Sequence, residues 1–262
     1  MSRIALVAAL FLAACATGPS PPRAVLADLA PTGKLRAGIN YGNPVLVQKD
    51  SATGSPKGLA VDLAQELGRR LGVSVELVTF DAAGKMADAA KSGAWDIAFL
   101  AVDPVRAADI AFSAPYLEIE GVYLVPDGSA IRANEDVDRD GVRVAVGKGS
   151  AYDLYLTREL RRAQLVRAPT SPGAVEMFVK EKLEVSAGVK QQLLAASSTI
   201  PGARLLPGRF MAIGQAAGMP RGRDAGAAYV REFIEDAKAS GFVARSLTRH
   251  GIEGASVAPP AR

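Results

Sequence analysis

The stretch Asp96-Ile97-Ala98-Phe99-Leu100-Ala101-Val102 is a nearly continuous apolar run of strand length. Such a run indicates a strand buried on both faces, as in a parallel sheet covered by helices. Upstream, Leu59, Leu63, Leu67 and Leu71 recur at a spacing of four, which predicts one apolar helix face. Strand and helix patterns that alternate at short intervals favour right-handed βαβ units around a parallel sheet.

The alternation of strand and helix patterns occurs twice along the chain. Alternating apolar residues predict strands at 34–39 and 73–78, and a further strand follows at 121–125. After a polar, glycine-containing loop the pattern restarts with a strand at 142–146, a helix at 150–160 and later helices up to residue 250. We therefore predict an α/β protein with two similar regions, before and after about Gly121.

Composition limits the classes of function. At 262 residues the chain allows one large domain or two lobes, and 49% hydrophobic residues are ample for a packed core. The net charge of +4 comes from basic residues interspersed with acids, and aromatic residues make up 6%. No Lys/Arg block provides the clustered phosphate contacts that nucleic-acid binding needs, so we expect no nucleic-acid partner.

The N-terminus predicts export. Arg3 and an apolar segment over residues 4–12 have the form of a signal peptide, too short to cross a membrane. Leu12-Ala13-Ala14-Cys15 is similar to a bacterial lipobox, in which the cysteine is lipidated; alternatively, Cys15 is incidental and cleavage follows Ala16. We assign residues 1–14 to the signal peptide and 15–31 to a lipidated Cys15 with a flexible tether. A single cysteine forms no internal disulfide.

Two positions have the placement of an anion site. Arg106 follows the buried strand at the carboxyl end of a parallel sheet, where open α/β sheets bind ligands. The alternative is an exposed Arg at a helix start, or one paired with Asp103 or Asp109. Ser150 begins a helix after a glycine turn, where it either contributes to an anion site or caps its own helix. His250, the single histidine, falls in a last helical turn, which favours a surface role. We expect no catalytic constellation, metal or cofactor.

Several blocks together resemble family 3 extracellular solute-binding proteins, the polar amino acid receptors of ABC importers. The blocks are Lys34-Leu35-Arg36-Ala37-Gly38-Ile39, Gly58-Leu59-Ala60-Val61-Asp62-Leu63-Ala64, Ser92-Gly93-Ala94-Trp95-Asp96-Ile97-Ala98, Arg106 and Ile110-Ala111-Phe112-Ser113-Ala114-Pro115-Tyr116. The resemblance implies two α/β lobes joined by crossing segments near residues 118–122 and 209–215. Lobe 1 would comprise residues 32–120 plus 212–251, lobe 2 residues 121–211, and residues 252–262 a disordered tail.

The resemblance also implies a ligand site in the cleft between the lobes. An arginine at the position of Arg106 would bind the α-carboxylate, a helix N-terminus at Ser150 and Ala151 would add N–H donors, and an aromatic ring near Tyr41 would cover the ligand. For Tyr41, packing against its own loop is the alternative.

The chain departs from the family at the ammonium site. The stretch before Arg106 lacks the usual hydroxyl residues, and the region that normally supplies an acid reads Gly188-Val189-Lys190-Gln191. We therefore expect either that Asp103 binds the ammonium, or that the ligand is a carboxylate without an amine, near Lys190 or Gln191.

The predicted function is a monomeric, extracytoplasmic, lipid-anchored binding protein that delivers a small carboxylate to an ABC transporter permease. The alternative is a periplasmic dehydratase-like enzyme on the same fold, with Glu118 or Glu120 as a conceivable acid or base. A free-standing sensor that reports ligand to a membrane kinase is a third reading.

Overall fold

The computed structural model describes residues 21–261, which form thirteen strands and eight α-helices. The strands are β1 (Lys34–Asn40), β2 (Gln48–Lys49), β3 (Pro56–Lys57), β4 (Ser74–Phe80), β5 (Ile97–Ala101), β6 (Ile110–Phe112), β7 (Leu117–Pro126), β8 (Arg143–Gly147), β9 (Gln164–Ala168), β10 (Val185–Val189), β11 (Ala203–Leu205), β12 (Met211–Pro220) and β13 (Ser256–Val257). The helices are α1 (Arg23–Leu29), α2 (Leu59–Leu71), α3 (Ala83–Asp88), α4 (Ala151–Glu159), α5 (Ser171–Lys180), α6 (Lys190–Thr199), α7 (Asp224–Ala239) and α8 (Phe242–Arg249). Short 3-10 helices cover Arg106–Ala108 and Asn134–Asp136.

One long sheet runs through the molecule in the order β4-β1-β5-β12-β7-β10-β8-β9. The first half of this sheet, β4-β1-β5, is parallel, and so is the second half, β10-β8-β9. Between them, β7 and β12 pair antiparallel, from Met211 opposite Gly121 to Gln215 opposite Leu117. The two crossing segments that the resemblance implied are therefore adjacent strands at the centre of the sheet.

The apolar patterns read from the sequence correspond to the buried faces. All five residues of β5 are buried, which confirms the prediction of a strand covered on both sides. Leu59, Leu63, Leu67 and Leu71 are buried on one face of α2. That helix ends at Gly72, whose φ of 69° is in the left-handed region that suits glycine.

A buried charge network connects the start of α7 to the first half of the sheet. Asp96 is 0% exposed, and its Oδ1 lies 2.7 Å from Arg36 Nη2 and 2.8 Å from Arg223 Nη1. A buried carboxylate is tolerated when it is paired and hydrogen-bonded, as here. This network fixes the strand that leads to the cavity described below.

The predicted tether is wrong for its C-terminal part. Residues 23–29 form helix α1, which packs against α7 and buries Val25 and Leu29. Because α7 is distant in sequence, the residues of α1 alone did not predict that this segment is docked. Predictions for residues 1–20, including Cys15, lie outside the described residues.

The predicted disordered tail is also wrong as far as residue 261. Strand β13 pairs with β7 at Glu118 and Leu117, and Ala258 is 5% exposed. The backbone N–H of Ala258 donates to the Tyr116 carbonyl, and Lys238 Nζ donates to the Pro259 carbonyl. These partners, on β7 and α7, are distant in sequence, so the residues of the tail alone did not predict that it is docked.

Helix α1 provides a direct test of the corrected boundary. Leu29→Ala should lower the free energy of unfolding by about 2–5 kcal/mol, because it removes a fully buried side chain and leaves a cavity. The matched control is Leu194→Ala, which makes the same change at a side chain on α6 that is 48% exposed, and should cost less than about 1 kcal/mol. Urea unfolding measures both. Equal stability of Leu29→Ala and the wild type would mean that α1 is not docked.

Candidate functional site

A cavity lies where the two halves of the sheet face each other. It contains about 410 Å³ of space outside atoms, part of it open to solvent. Its lining residues are contributed by the first half, the second half and the crossing strand β12: Asn40, Gly42, Asn43, Leu46, Ala83, Phe99, Leu100, Ala101, Arg106, Ser150, Ala151, Tyr152, Ser171, Val189, Ile213 and Gln215. The structure thus brings together Arg106, Ser150 and Ala151, three of the six predicted ligand residues.

Arg106 is the central charge of this cavity. Its residue surface is 5% exposed, so the alternative of a solvent-exposed arginine does not hold. Nη1 donates a hydrogen bond of 2.9 Å to the Ala101 carbonyl on the first half, and Nη2 donates one of 2.9 Å to the Gly149 carbonyl on the second half. Nε is buried and has no partner among the described residues. The guanidinium therefore bridges both halves and keeps donor capacity.

The charge of Arg106 persists at neutral pH. Burial lowers the pKa of its guanidinium to about 10, and the nearby negative charges of Asp103 and Asp88 oppose that decrease. A pKa of about 10 leaves the group protonated throughout the physiological range. Among the lining residues in the described part of the chain, Arg106 alone carries a formal charge. The electrostatics of the cavity thus favour an anionic guest.

Ser150 is the N-cap of α4. Its Oγ accepts a hydrogen bond of 3.1 Å from the Asp153 backbone N–H, and Asp153 Oδ2 accepts one of 2.8 Å from the Gly149 backbone N–H. The capping role left open by the sequence is therefore present. Ser150 and Ala151 nevertheless line the cavity, so the first turn of α4 faces any guest there.

Polar groups that the sequence did not single out complete the lining. Asn40 and Asn43 use their Oδ1 atoms to accept backbone N–H groups of their own loop. The Tyr152 hydroxyl donates to Ser171 Oγ at 2.8 Å. Gln215, on β12, is 3% exposed. Asn40 ends β1, Tyr152 and Ser171 lie in the first turns of α4 and α5, and Gln215 lies in the middle of β12. An isolated polar residue at any of these places gives no periodic signal in the sequence.

Asp103 does not line the cavity. Its Oδ2 accepts a hydrogen bond of 2.9 Å from Arg158 Nη2 on α4, and its Oδ1 accepts one from the Val105 backbone N–H. The carboxylate is thus engaged in a contact between the two halves. The prediction that Asp103 binds a ligand ammonium has no geometric support, because Arg158, 55 residues away in sequence, occupies it.

Gln191, Lys190 and Tyr41 also lie outside the cavity lining. Gln191 Nε2 donates to the Glu253 carbonyl at 2.9 Å, and Lys190 Nζ lies 2.6 Å from Glu120 Oε2. Helix α6 begins immediately after Val189, and Val189 is the residue that reaches the cavity. Lys49 Nζ, on the following strand β2, lies 5.0 Å from the centroid of the Tyr41 ring.

The two halves touch closely at two glycines. A Cβ atom placed on Gly84, at the start of α3, would lie 3.0 Å from the Lys148 carbonyl oxygen and 3.1 Å from Gly149 Cα. Gly149 itself has a φ of 70°. Together with the Arg106 and Asp103 contacts, this backbone approach defines a closed arrangement of the halves.

The described residues give no indication of a metal site. Residues 21–261 contain no group of three or more His, Cys, Asp or Glu side chains arranged to bind a metal ion. His250 Nε2 lies 3.0 Å from Asp62 Oδ2, on the side of the first half formed by α2 and α8. No helix in the same part of the chain is both long enough and apolar enough to span a membrane.

Comparisons with known proteins agree with this architecture. Residues 35–252 match the family of bacterial extracellular solute-binding proteins, family 3. A search of curated proteins gives no significant match. The family match covers most of the chain, so the protein belongs to the bacterial extracellular solute-binding proteins, family 3.

Solved structures share the fold at low sequence identity. A mutant of ArgBP from T. maritima has 19% identity and a TM-score of 0.74, covering 87% of this chain and 99% of that one. A putative binding component of an ABC transporter from Wolinella succinogenes, complexed with lysine, has 20% identity and a TM-score of 0.72, covering 83% and 95%. An ancestral amino acid-binding protein, a precursor of cyclohexadienyl dehydratase, has 21% identity and a TM-score of 0.72, covering 86% and 98%. These likenesses establish the periplasmic binding protein type 2 fold.

The glycine contact predicts a steric effect on solute binding. Gly84→Val should weaken binding by at least about tenfold, because the side chain would collide with the loop at Lys148 and hold the halves apart. Gly128→Val is the matched control, since a Cβ at Gly128 meets no atom within 4 Å. Calorimetric titration measures the affinities, and small-angle scattering of the liganded proteins measures closure. Undiminished affinity in Gly84→Val would contradict the closed arrangement.

Proposed function

We propose that this protein is the solute-binding component of an ABC importer and binds a small carboxylate, an amino acid or a related organic acid, between its two halves. The observation that carries the proposal is Arg106, a buried guanidinium that contacts both halves and is the charged group of the cavity lining. A guanidinium offers a planar set of donors that suits a carboxylate.

The charges of the cavity lining restrict the class of ligand that we expect to bind. The negative charges of Asp103 and Asp88 offset the burial of Arg106 only in part, because its pKa is still lowered to about 10. No Asp or Glu lines the cavity to complete the compensation, so a negatively charged guest would do so. A guest with a second positive charge, such as arginine or lysine, would meet a positively charged lining without an acid. We therefore expect neutral or acidic carboxylates to bind more tightly than the lysine found in the Wolinella succinogenes relative.

The dehydratase alternative requires a general acid or base next to the substrate. Glu118 is exposed on β7, and Glu120 is paired with Lys190; neither lines the cavity. The lining residues include no Asp, Glu or His. The ancestral neighbour keeps the dehydratase alternative open at the level of fold, but the cavity of this chain favours binding over catalysis.

In the proposed mechanism, binding of the ligand closes the two halves of the molecule around it. A ligand that contacts both halves stabilises the closed arrangement by its differential affinity, and a permease would recognise that arrangement. In this proposal residues 32–120 plus 212–251 form lobe 1 and residues 121–211 form lobe 2. The hinges would lie in β7 and β12, where the chain crosses between the halves.

The proposed location is extracytoplasmic. We propose that residues 1–14 are removed as a signal peptide and that Cys15 carries the lipid that holds the protein at the membrane as a monomer. The family match supports an extracytoplasmic site of action.

Arg106 is the most informative position for binding. Arg106→Ala should lower the affinity for a carboxylate ligand by at least about 100-fold, because loss of one partner of a buried charge pair costs about 3–5 kcal/mol. Arg132→Ala, at an exposed arginine, is the matched control and should bind like the wild type. A thermal-shift screen of amino acids and organic acids identifies the ligand, and calorimetry measures each variant. Consumption of a carboxylic substrate by the wild type, or equal affinity in Arg106→Ala, would overturn the proposal.

Cys15 predicts membrane association. The wild-type protein expressed in a bacterial host should partition into the detergent phase and incorporate labelled fatty acid, whereas Cys15→Ser should be released into the soluble extracytoplasmic fraction. Because the described fold begins after this position, both forms should bind the ligand with equal affinity. Detergent-phase partitioning of Cys15→Ser equal to that of the wild type would contradict the anchor.

A further inference from the structure

Gln215 lines the cavity next to the residue that holds Arg106 in place. On β12, Gln215 is in register with Ala101 of β5, and the Ala101 carbonyl accepts the Nη1 hydrogen bond of Arg106. The side chain is 3% exposed, although it is polar and lies on a crossing strand at the centre of the sheet. Its position is therefore fixed by the backbone on both sides.

The side-chain oxygen of Gln215 is not satisfied by the described residues. Its Oε1 is buried and has no hydrogen-bond partner among the described residues. Two of the buried polar side-chain atoms without a partner belong to the cavity lining, namely Gln215 Oε1 and Arg106 Nε. One is an acceptor and the other is a cationic donor. A buried acceptor without a partner costs free energy, so a guest that supplies a donor there gains affinity.

Other polar groups of the lining have hydrogen-bond partners within the protein. The Oδ1 atoms of Asn40 and Asn43 accept hydrogen bonds from their own backbone loop, and the Tyr152 hydroxyl is paired with Ser171. These side chains are held by the protein itself. Among the buried side-chain acceptors of the described lining residues, Gln215 Oε1 is the one without a partner.

We propose that Gln215 is a specificity-determining residue whose Oε1 accepts a hydrogen bond from a donor group next to the ligand carboxylate. The inference rests on the proposed function, because it presumes a carboxylate bound by Arg106. It narrows the ligand class to carboxylates with an ammonium or hydroxyl group at carbon 2. A neutral amide accepts either donor, and the cavity lining contains no acid that would require the ammonium.

If Gln215 has this role, the protein discriminates against carboxylic acids that carry no ammonium or hydroxyl group at carbon 2. A 2-amino or 2-hydroxy carboxylate satisfies Gln215, whereas the same acid with only hydrogens at carbon 2 leaves the buried acceptor unpaired. A site built around a hydrogen bond rejects an analogue that lacks the donor much more strongly than an apolar pocket rejects a missing methylene. We expect the plain acid to bind about 10- to 100-fold more weakly.

The experiment compares ligands matched in carbon skeleton. The probes are the L-2-amino acids, their 2-hydroxy counterparts and the corresponding unsubstituted acids, titrated by calorimetry into wild type, Gln215→Met and Gln192→Met. In Gln215→Met the advantage of the amino or hydroxy acid over the unsubstituted acid should fall about 10- to 100-fold, because methionine keeps the length of the side chain and removes the acceptor. Gln192 is the matched control, since its Oε1 is also buried without a partner but lies outside the cavity lining, and its variant should keep the wild-type preference.

A second measurement separates a ligand role from a structural one. The ligand-free Gln215→Met protein should unfold at an equal or higher temperature than the wild type, because the change removes an unsatisfied buried amide. A clear loss of stability together with an unchanged ligand preference would overturn the inference. The inference alone also fails if all three ligand types bind equally and depend on Arg106. If no carboxylate binds the wild type, the proposed function fails as well.

Discussion

The hydrogen bonds of the Arg106 guanidinium are the interaction on which the arrangement of the molecule depends. One links the charge to the carboxyl end of β5 in the first half, and the other links it to the Gly149 carbonyl just before α4 in the second. Because the guanidinium is buried, its positive charge has to be compensated within the closed arrangement. Backbone carbonyls do so in part, and a carboxylate guest would complete the compensation.

The topology explains why such a group can act on both halves. β7 and β12 are the strands that pass between the parallel halves, and they form one antiparallel pair at the centre of the sheet. A small change of backbone angles in these two strands would move the halves relative to each other without disturbing either parallel core. The Asp103–Arg158 pair and the approach of Gly84 to Gly149 add contacts that exist when the halves are together. Ligand affinity and closure are therefore coupled through the same surfaces.

Local sequence patterns predict much of the fold, but they predict only part of the candidate site. The apolar run of β5 and the leucine face of α2 follow from burial. Arg106 and Ser150 follow from their place after a strand and at a helix start, and Ala151 follows from the family resemblance. The sequence did not indicate that Asp103 is paired with Arg158, because the two residues are distant along the chain. Gln215 carries no sequence signal, since its importance arises from a strand pairing that buries a polar side chain. Helix α1 and the docked tail likewise depend on tertiary contacts.

A crystal structure of the protein with its bound solute tests the central claim most directly. We predict carboxylate oxygens of the solute about 3 Å from the guanidinium nitrogens of Arg106, inside the cavity between the halves. A solute bound elsewhere, or an Arg106 side chain that faces bulk solvent while the solute is held, would contradict the account.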